Sequence, residues 1–294
     1  MSDDVAVLRA FNRRYTQHIG VLEDRFLGRG RPLAESRLLF EVGLDGATTV
    51  LELRERLSLD SGYVSRLLRS LEDTGLVTVA ADPTDGRRRR IELTAVGKKE
   101  WEELDRRSDE LAAGLLDPLG PTQRDRLREA LGTAERLLRA ATAEFVVVDP
   151  LSEEALTAMG RYLAEIADRG VGGGASLGAA SDGAETMRRP DGVFVLVRSD
   201  GEVVGCGGVR PLGDGIGEVK RMWVSPAVRG TGMGRRLLDH LEAWVLRLGH
   251  DVVRLDTNGV LTQAITMYES AGYTPIERYN DNPHAERFYE KRLR

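Results

Sequence analysis

Apolar residues recur at steps of three and four through most of the first half of the chain, and such steps predict helices. Val7, Leu8, Phe11, Tyr15, Ile19, Leu22 and Phe26 predict one amphipathic helix over residues 5–27, with Arg9, Arg13, Arg14 and Glu23 on its polar face. Gly28-Arg29-Gly30-Arg31-Pro32 ends it. Leu38, Leu39 and Val42 predict a second helix over 34–43, and Val50, Leu51, Leu53 and Leu57 a short one over 49–57. Asp60 or Ser61 then caps a fourth, which buries Val64, Leu67, Leu68 and Leu71 and stops at Thr74-Gly75. Beyond it the period falls to two. Leu76, Val77 and Val79 alternate, Asp82-Pro83-Thr84-Asp85-Gly86 is turn chemistry, and Ile91-Glu92-Leu93 alternates again, so a β-hairpin is predicted. Two long helices follow over 97–117 and 121–141.

The second half reads differently. Phe145-Val146-Val147-Val148 predicts a strand, and Leu156, Met159, Leu163 and Ile166 a helix. Residues 170–190 are rich in Gly, Ala and Ser and read as a mobile loop. Residues 192–198 and 203–210 alternate around Ser199-Asp200-Gly201-Glu202, an antiparallel hairpin. A strand over 217–224 stops at Pro226, and a helix over 232–249 carries Leu237, Leu238, Leu241, Trp244, Val245 and Leu248. Val252 to Leu255 is a strand, 262–271 a helix, and a last strand lies near 285–291. The order βα(α)βββαβαβ predicts an α/β (α+β) domain with a mixed, largely antiparallel sheet, after a mostly α first domain.

Composition narrows the function classes. A length of 294 residues suggests about two domains. The net charge of -5 announces no polyanion partner globally, so any nucleic-acid contact must come from a local basic patch. One cysteine, Cys206, rules out an intramolecular disulfide and a cysteine-based zinc site, and no metal is expected. The acidic start Met-Ser-Asp-Asp does not read as a signal peptide, and no run approaches a membrane span. A cytoplasmic protein is the expectation.

Two short helices closed by a turn, then a hairpin with the basic tip Arg87-Arg88-Arg89-Arg90, make a winged helix-turn-helix. The second of those helices offers Ser61, Tyr63, Ser65, Arg66 and Arg69 to a major groove. The hairpin tip offers arginines to phosphates or a minor groove. Leu71-Glu72-Asp73-Thr74-Gly75-Leu76-Val77, Asp82-Pro83-Thr84-Asp85-Gly86-Arg87-Arg88 and Leu93-Thr94-x-x-Gly97 resemble the MarR family of transcriptional regulators over residues 4–140. The resemblance implies binding to a double-stranded DNA operator as a homodimer, with Asp85, Arg87 and Arg88 on the wing. It also implies a dimer interface built from the first helix and the two long ones.

The stretch Arg229-Gly230-Thr231-Gly232-Met233-Gly234-Arg235 joins a strand to a helix. Glycines at such a start let backbone N–H groups crowd an anion. It is not a P-loop, because Gly-Lys-Ser/Thr is absent, and its third glycine falls one place early for a dinucleotide fingerprint. A second motif, Gly174-Ala175-Ser176-Leu177-Gly178, matches G-x-S-x-G but lacks the strand that a nucleophile elbow needs. Arg229-x-x-Gly232-x-Gly234, with Lys220-Arg221-Met222-Trp223-Val224-x-Pro226 before it and Ala264-Ile265-x-Met267-Tyr268-Glu269-x-Ala271-Gly272-Tyr273 after it, resembles the GNAT acetyltransferases over 144–294.

That resemblance implies acetyl-CoA as co-substrate and an amine of a small molecule or protein as acceptor. Backbone N–H groups from Arg229 to Arg235 would hold the pyrophosphate. The strand ending at Trp223-Val224 would bond the pantetheine arm, with the Val224 N–H polarising the thioester. Glu218 is the implied base and Tyr268 the implied acid. Asn258 would help position coenzyme or substrate. The chain thus reads as a DNA-binding regulator over 1–141 fused to an N-acetyltransferase over 142–294. The alternative is a regulator whose second domain only senses acyl-CoA or another ligand without turnover.

Overall fold

A computed structural model of the chain describes residues 3–20, 26–44, 46–57, 59–82, 86, 88–170 and 180–294. The chain divides into two compact units, Met1–Glu129 and Ala130–Arg294.

The first unit opens with α1 (Asp3–His18), which buries none of its residues. The single helix expected to residue 27 ends at His18. Gly20 follows in the left-handed region, and Phe26–Gly28 forms a separate turn in which Leu27 has φ 53°. Helices α2 (Leu33–Leu44), α3 (Val50–Leu57) and α4 (Ser61–Asp73) surround a core of Leu38, Leu39, Val42, Leu53, Leu68 and Leu71. The expected hairpin is β2 (Val77–Ala81) with β3 (Arg89–Leu93), and β1 (Ala47–Thr49) adds a third strand in the order β1-β3-β2. Thr48, Ile91 and Leu76 are buried where this small sheet meets the helices.

Thr94 and Gly97 fix how the next helix leaves the wing. The Thr94 hydroxyl donates to the Gly75 carbonyl at 2.7 Å and accepts the Gly97 N–H at 2.9 Å, capping α5 (Ala95–Leu116). A Cβ at Gly97 would stand 1.8 Å from the Leu76 carbonyl oxygen, so only glycine permits this approach. Helix α6 (Pro121–Ala141) follows, and the division between units falls inside it.

The second unit is a seven-stranded sheet in the order β4-β5-β6-β7-β8-β10-β9. The strands are β4 (Glu144–Val148), β5 (Val193–Ser199), β6 (Glu202–Gly213), β7 (Ile216–Val224), β8 (Val252–Thr257), β9 (Thr274–Pro275) and β10 (Arg287–Arg292). Among the described residues, only β7 and β8 pair in parallel; every other neighbouring pair of this sheet is antiparallel. The β5–β6 hairpin turns on Asp200 and Gly201, both at positive φ. Helix α8 (Met233–Arg247) packs Leu237, Leu238, Leu241 and Val245 on the sheet, and α9 (Thr262–Ser270) adds Tyr268 to the same core. Helix α7 (Glu153–Asp168) buries Ala155, Ala158 and Met159 with Ala180, Ala184, Met187 and Phe194. Residues 180–187 are therefore packed, not the loose loop expected over 170–190. The Gly174–Gly178 motif lies outside the described residues. Among the described residues, no helix is long and apolar enough to cross a membrane.

Candidate functional site

In the first unit, the face of α4 opposite its apolar stripe is open to solvent. Ser61, Ser65, Arg66 and Arg69 are exposed, and Tyr63 is half-buried with the Arg66 guanidinium over its ring at 5.5 Å. Ser65 donates to the Ser61 carbonyl at 2.7 Å, so it presents oxygen lone pairs outward. The Asp60 side chain accepts the Tyr63 N–H at 2.9 Å, closing the helix start. On the wing, Arg88 is exposed and its carbonyl accepts the Asp82 N–H at 2.9 Å. Asp85 and Arg87 lie outside the described residues.

In the second unit, the start of α8 has no side-chain cap. Gly232 sits there at φ 83° and Gly230 ahead of it at φ 76°, both left-handed. The first bond of the helix runs from the Arg236 N–H to the Gly232 carbonyl at 3.0 Å. The N–H groups of Met233, Gly234 and Arg235 therefore have no helical acceptor and carry the positive end of the helix dipole. A Cβ at Gly234 would come within 3.1 Å of the Met267 sulfur. This glycine path suits a pyrophosphate, which backbone donors can reach without side chains intervening.

The other side chains of the loop point elsewhere. Met233 is buried in the core, Arg235 pairs with Asp239 at 2.7 Å, and Thr231 Oγ1 donates to the Val228 carbonyl at 2.6 Å. Arg229 turns inward: Nε donates to the Val224 carbonyl at 2.9 Å, Nη2 to Glu165 at 2.5 Å, and its own N–H to the Pro226 carbonyl at 3.3 Å. The Trp223 indole donates to the same Glu165 oxygen at 2.9 Å. Burial acts to raise the Glu165 pKa, but the bonds from Arg229 and Trp223 outweigh it and hold the carboxyl below its ordinary value. Glu165 thus locks the end of β7 to the loop.

Strands β7 and β8 pair only through Ile216↔Val252, Gly217↔Val253 and Glu218↔Arg254, and then part. A bulge marks the parting. Cys206 faces Trp223 and Gly208 faces Lys220, so Arg221 and Met222 share Gly207, and Arg221 takes φ 56°. The Ser225 N–H donates to the Val204 carbonyl at 2.8 Å, while Gly205 stands opposite Val224. Antiparallel pairs alternate, so the Val224 N–H points away from β6, toward the side that β8 has left. A cavity of about 690 Å³ is lined from β7 by Val219 and Met222, from β8 by Leu255 and Asp256, and from α9 by Ala264 and Tyr268.

The proton-handling candidates have contrasting surroundings. Tyr268 lines the cavity beside Tyr273 and Tyr289, with ring centroids 5.9 and 6.3 Å away. Burial pushes its hydroxyl well above the ordinary tyrosine value, so it stays protonated. Glu218 is wholly buried and accepts from Arg210 at 2.5 Å, Tyr279 at 2.8 Å and Asn280 at 3.2 Å, with Lys220 at 3.6 Å. Asn258 lines the cavity, but its side chain is occupied: Nδ2 donates to the His284 carbonyl at 2.9 Å and Oδ1 accepts the Val260 N–H at 3.0 Å.

Sequence reasoning missed Glu165, Asp256, Tyr279, Asn280 and Asn282. Each is a polar residue in an ordinary helix, strand or loop, and no spacing sets it apart. Asp256 accepts from Lys220 at 2.9 Å on both oxygens, and from Asn280 at 2.8 Å and Asn282 at 3.2 Å. Burial acts to raise its pKa, but Lys220 and the two carboxamides outweigh it and hold it below the usual range.

Residues 166–273 match the acetyltransferase (GNAT) family and residues 29–88 the MarR family. The chain is 36% identical over 103 residues to an IAA acetyltransferase of Azospirillum brasilense, covering 34% of this chain and 67% of that protein. It is 33% identical over 96 residues to the uncharacterized N-acetyltransferase YjgM of Escherichia coli, covering 32% of this chain and 58% of that one. Among solved structures, wild-type MarR of Escherichia coli in its apo form is similar at 22% identity and a TM-score of 0.39, over 43% of this chain and 93% of that one. The fold is that of an N-acyltransferase unit, which implies an acyl-CoA co-substrate, preceded by a winged helix-turn-helix. The chain belongs to the GNAT acetyltransferase family in its second half, and residues 29–88 of its first half match the MarR family.

Proposed function

We propose that the chain binds operator DNA as a homodimer through residues 1–141 and transfers the acetyl group of acetyl-CoA to an amine through residues 142–294, in the cytoplasm. The observation that carries the transferase reading is the conjunction of the uncapped α8 start with the parting of β7 and β8. One offers backbone donors to a pyrophosphate, and the other opens a slot for an extended arm. In this reading the N–H groups from Gly230 to Arg235 hold the pyrophosphate, while Trp223, Val224 and Arg229 shape the slot. Asn258 supports the slot by fixing the loop after β8.

Acetyl-CoA supplies an activated thioester. The Val224 N–H donates to the carbonyl oxygen as negative charge gathers there. Tyr268 gives its proton to the departing sulfur. For Glu218, the sequence pattern suggests a base, but its three donors favour a fixed anchoring role, and we assign it that role. The acceptor amine enters the cavity as the free base, its nitrogen bonds the carbonyl carbon as the C–S bond breaks, and the proton it sheds replaces the one that Tyr268 gives to the sulfur. The DNA reading rests on the exposed Ser61, Ser65, Arg66 and Arg69 face, with Tyr63 packed below and Arg88 exposed on the wing; Asp85 and Arg87, which the sequence resemblance adds, lie outside the described residues. The dimer reading rests on α1, where Val5, Val7, Leu8, Phe11 and Tyr15 are all exposed. A lone helix of this length is marginal in water, and a second copy would cover that face.

Screening polyamines, amino acids, aminoglycosides and peptides for free thiol release from acetyl-CoA tests the transfer. Tyr268→Phe should lower turnover by about 100-fold while leaving coenzyme affinity nearly intact; an unchanged rate would reduce Tyr268 to packing. The engagement of Glu218 also favours a second reading, in which the unit senses acyl-CoA without turnover. Tight acetyl-CoA binding with no thiol release from any amine would select it.

A further inference from the structure

Beyond Glu218 and Arg254, no backbone pair joins β7 to β8 among the described residues. Side chains span the gap instead. Lys220 on β7 reaches both carboxylate oxygens of Asp256 on β8 at 2.9 Å. Asn280, in the segment after β9, bridges the same two strands: its Nδ2 lies 2.8 Å from Asp256 Oδ2 and 3.2 Å from Glu218 Oε1. A carboxamide has two N–H donors, and here each meets a different carboxylate. Tyr279 donates to Glu218 at 2.8 Å and Asn282 to Asp256 at 3.2 Å, one on either side.

The charges of this group balance. Glu218 and Asp256 are offset by Arg210 and Lys220. Both carboxylates are buried, so each donor matters, because an under-satisfied carboxylate at that depth is costly. Lys220, Asp256, Asn280 and Asn282 all line the cavity. At position 280, serine has one donor and cannot satisfy two carboxylates. Aspartate would add a third negative charge.

We propose that Asn280 is a positioning residue for acyl transfer. By tying Glu218 on β7 to Asp256 on β8, it fixes the width of the slot that receives the pantetheine arm. The inference rests on the acetyltransferase reading and goes beyond it by naming what sets the slot.

Calorimetric titration of wild-type protein, Asn280→Ala and Asn280→Asp with two probes tests it. The probes are acetyl-CoA and adenosine 3′,5′-bisphosphate, the nucleotide end of the coenzyme, which does not enter the slot. Asn280→Ala should raise the Kd for acetyl-CoA about tenfold and leave that for the bisphosphate unchanged. Asn280→Asp should bind acetyl-CoA weakly at pH 8. It should recover only in part at pH 5.5, as the introduced carboxyl takes up a proton, loses its charge and offers one donor in place of two. Equal loss for both probes, or wild-type affinity for acetyl-CoA in folded Asn280→Ala, would overturn the assignment. Failure of wild-type protein to bind either probe would instead sink the acetyltransferase reading.

Discussion

Helices α4 and α8 begin in opposite ways. Asp60 folds its carboxylate over the start of α4 and accepts the Tyr63 N–H. Gly232 leaves the start of α8 bare, at a φ of 83° that only glycine adopts without strain. Each helix buries an apolar stripe, Val64 to Leu71 in one case and Leu237 to Val245 in the other. The difference lies in which part of the helix is left for a partner. A closed N-terminus leaves only side chains to offer, which suits reading base edges. An open one offers backbone N–H groups and the helix dipole, which suits a phosphate of any owner. In the proposed reading, specificity belongs to side chains in the first unit and to the slot between β7 and β8 in the second.

Substitutions can sharpen this contrast. The largest effect is expected from Gly232→Glu, which forces a side chain into the left-handed region and puts a carboxylate where an anion belongs. Acetyl-CoA affinity should fall by about 100-fold or more in calorimetry, and retained affinity would break the open-start assignment. Arg66→Ala with Arg69→Ala comes next. Binding to non-specific duplex DNA should weaken by about tenfold at low salt, and the slope of log K against log salt should shrink by about two. An unchanged slope would remove α4 from the interface.

Asp60→Ala should cost about 1 kcal/mol of stability in denaturant unfolding, because the Tyr63 N–H loses its acceptor. Acetyl-CoA affinity should not move; a change would show that the two starts are coupled. The smallest effect concerns His240 on α8, which accepts the Trp244 indole N–H at 3.2 Å. Burial, then Arg247, lowers its pKa from 6.5. The unfolded chain thus takes up this proton at higher pH than the folded one. Stability contributed here is present above pH 6.5 and is lost as pH falls through the folded value. His240→Gln should flatten that decline between pH 7 and 5 in thermal unfolding; an unaltered slope would exonerate His240.

Local chemistry was legible and long-range chemistry was not. Thr94 and Gly97 stood out as a motif, and the structure supplies the cause in a cap and a close approach to Leu76. Gly230 and Gly232 likewise announced a backbone shape that neighbours in sequence dictate. The strand β1, three residues long, escaped notice because its pairing with β3 bridges over forty residues and leaves no periodic trace. The same holds for Glu165, whose two partners on the Trp223–Arg229 stretch lie 58 and 64 residues away. Glu218 was singled out by resemblance, but only the fold reveals Tyr279 and Asn280 beside it, 61 and 62 residues on. The end of α1 was misjudged because Ile19, Leu22 and Phe26 keep the helical step, while Gly20 turns the backbone out of it.

Whether the second unit transfers acetyl groups from its coenzyme is measured directly by thiol release from acetyl-CoA across a panel of amines. Protein-dependent release is expected with at least one amine, rising with pH as that amine becomes the free base. No release above the protein-free rate from any amine, by protein that binds acetyl-CoA, would contradict acetyl transfer.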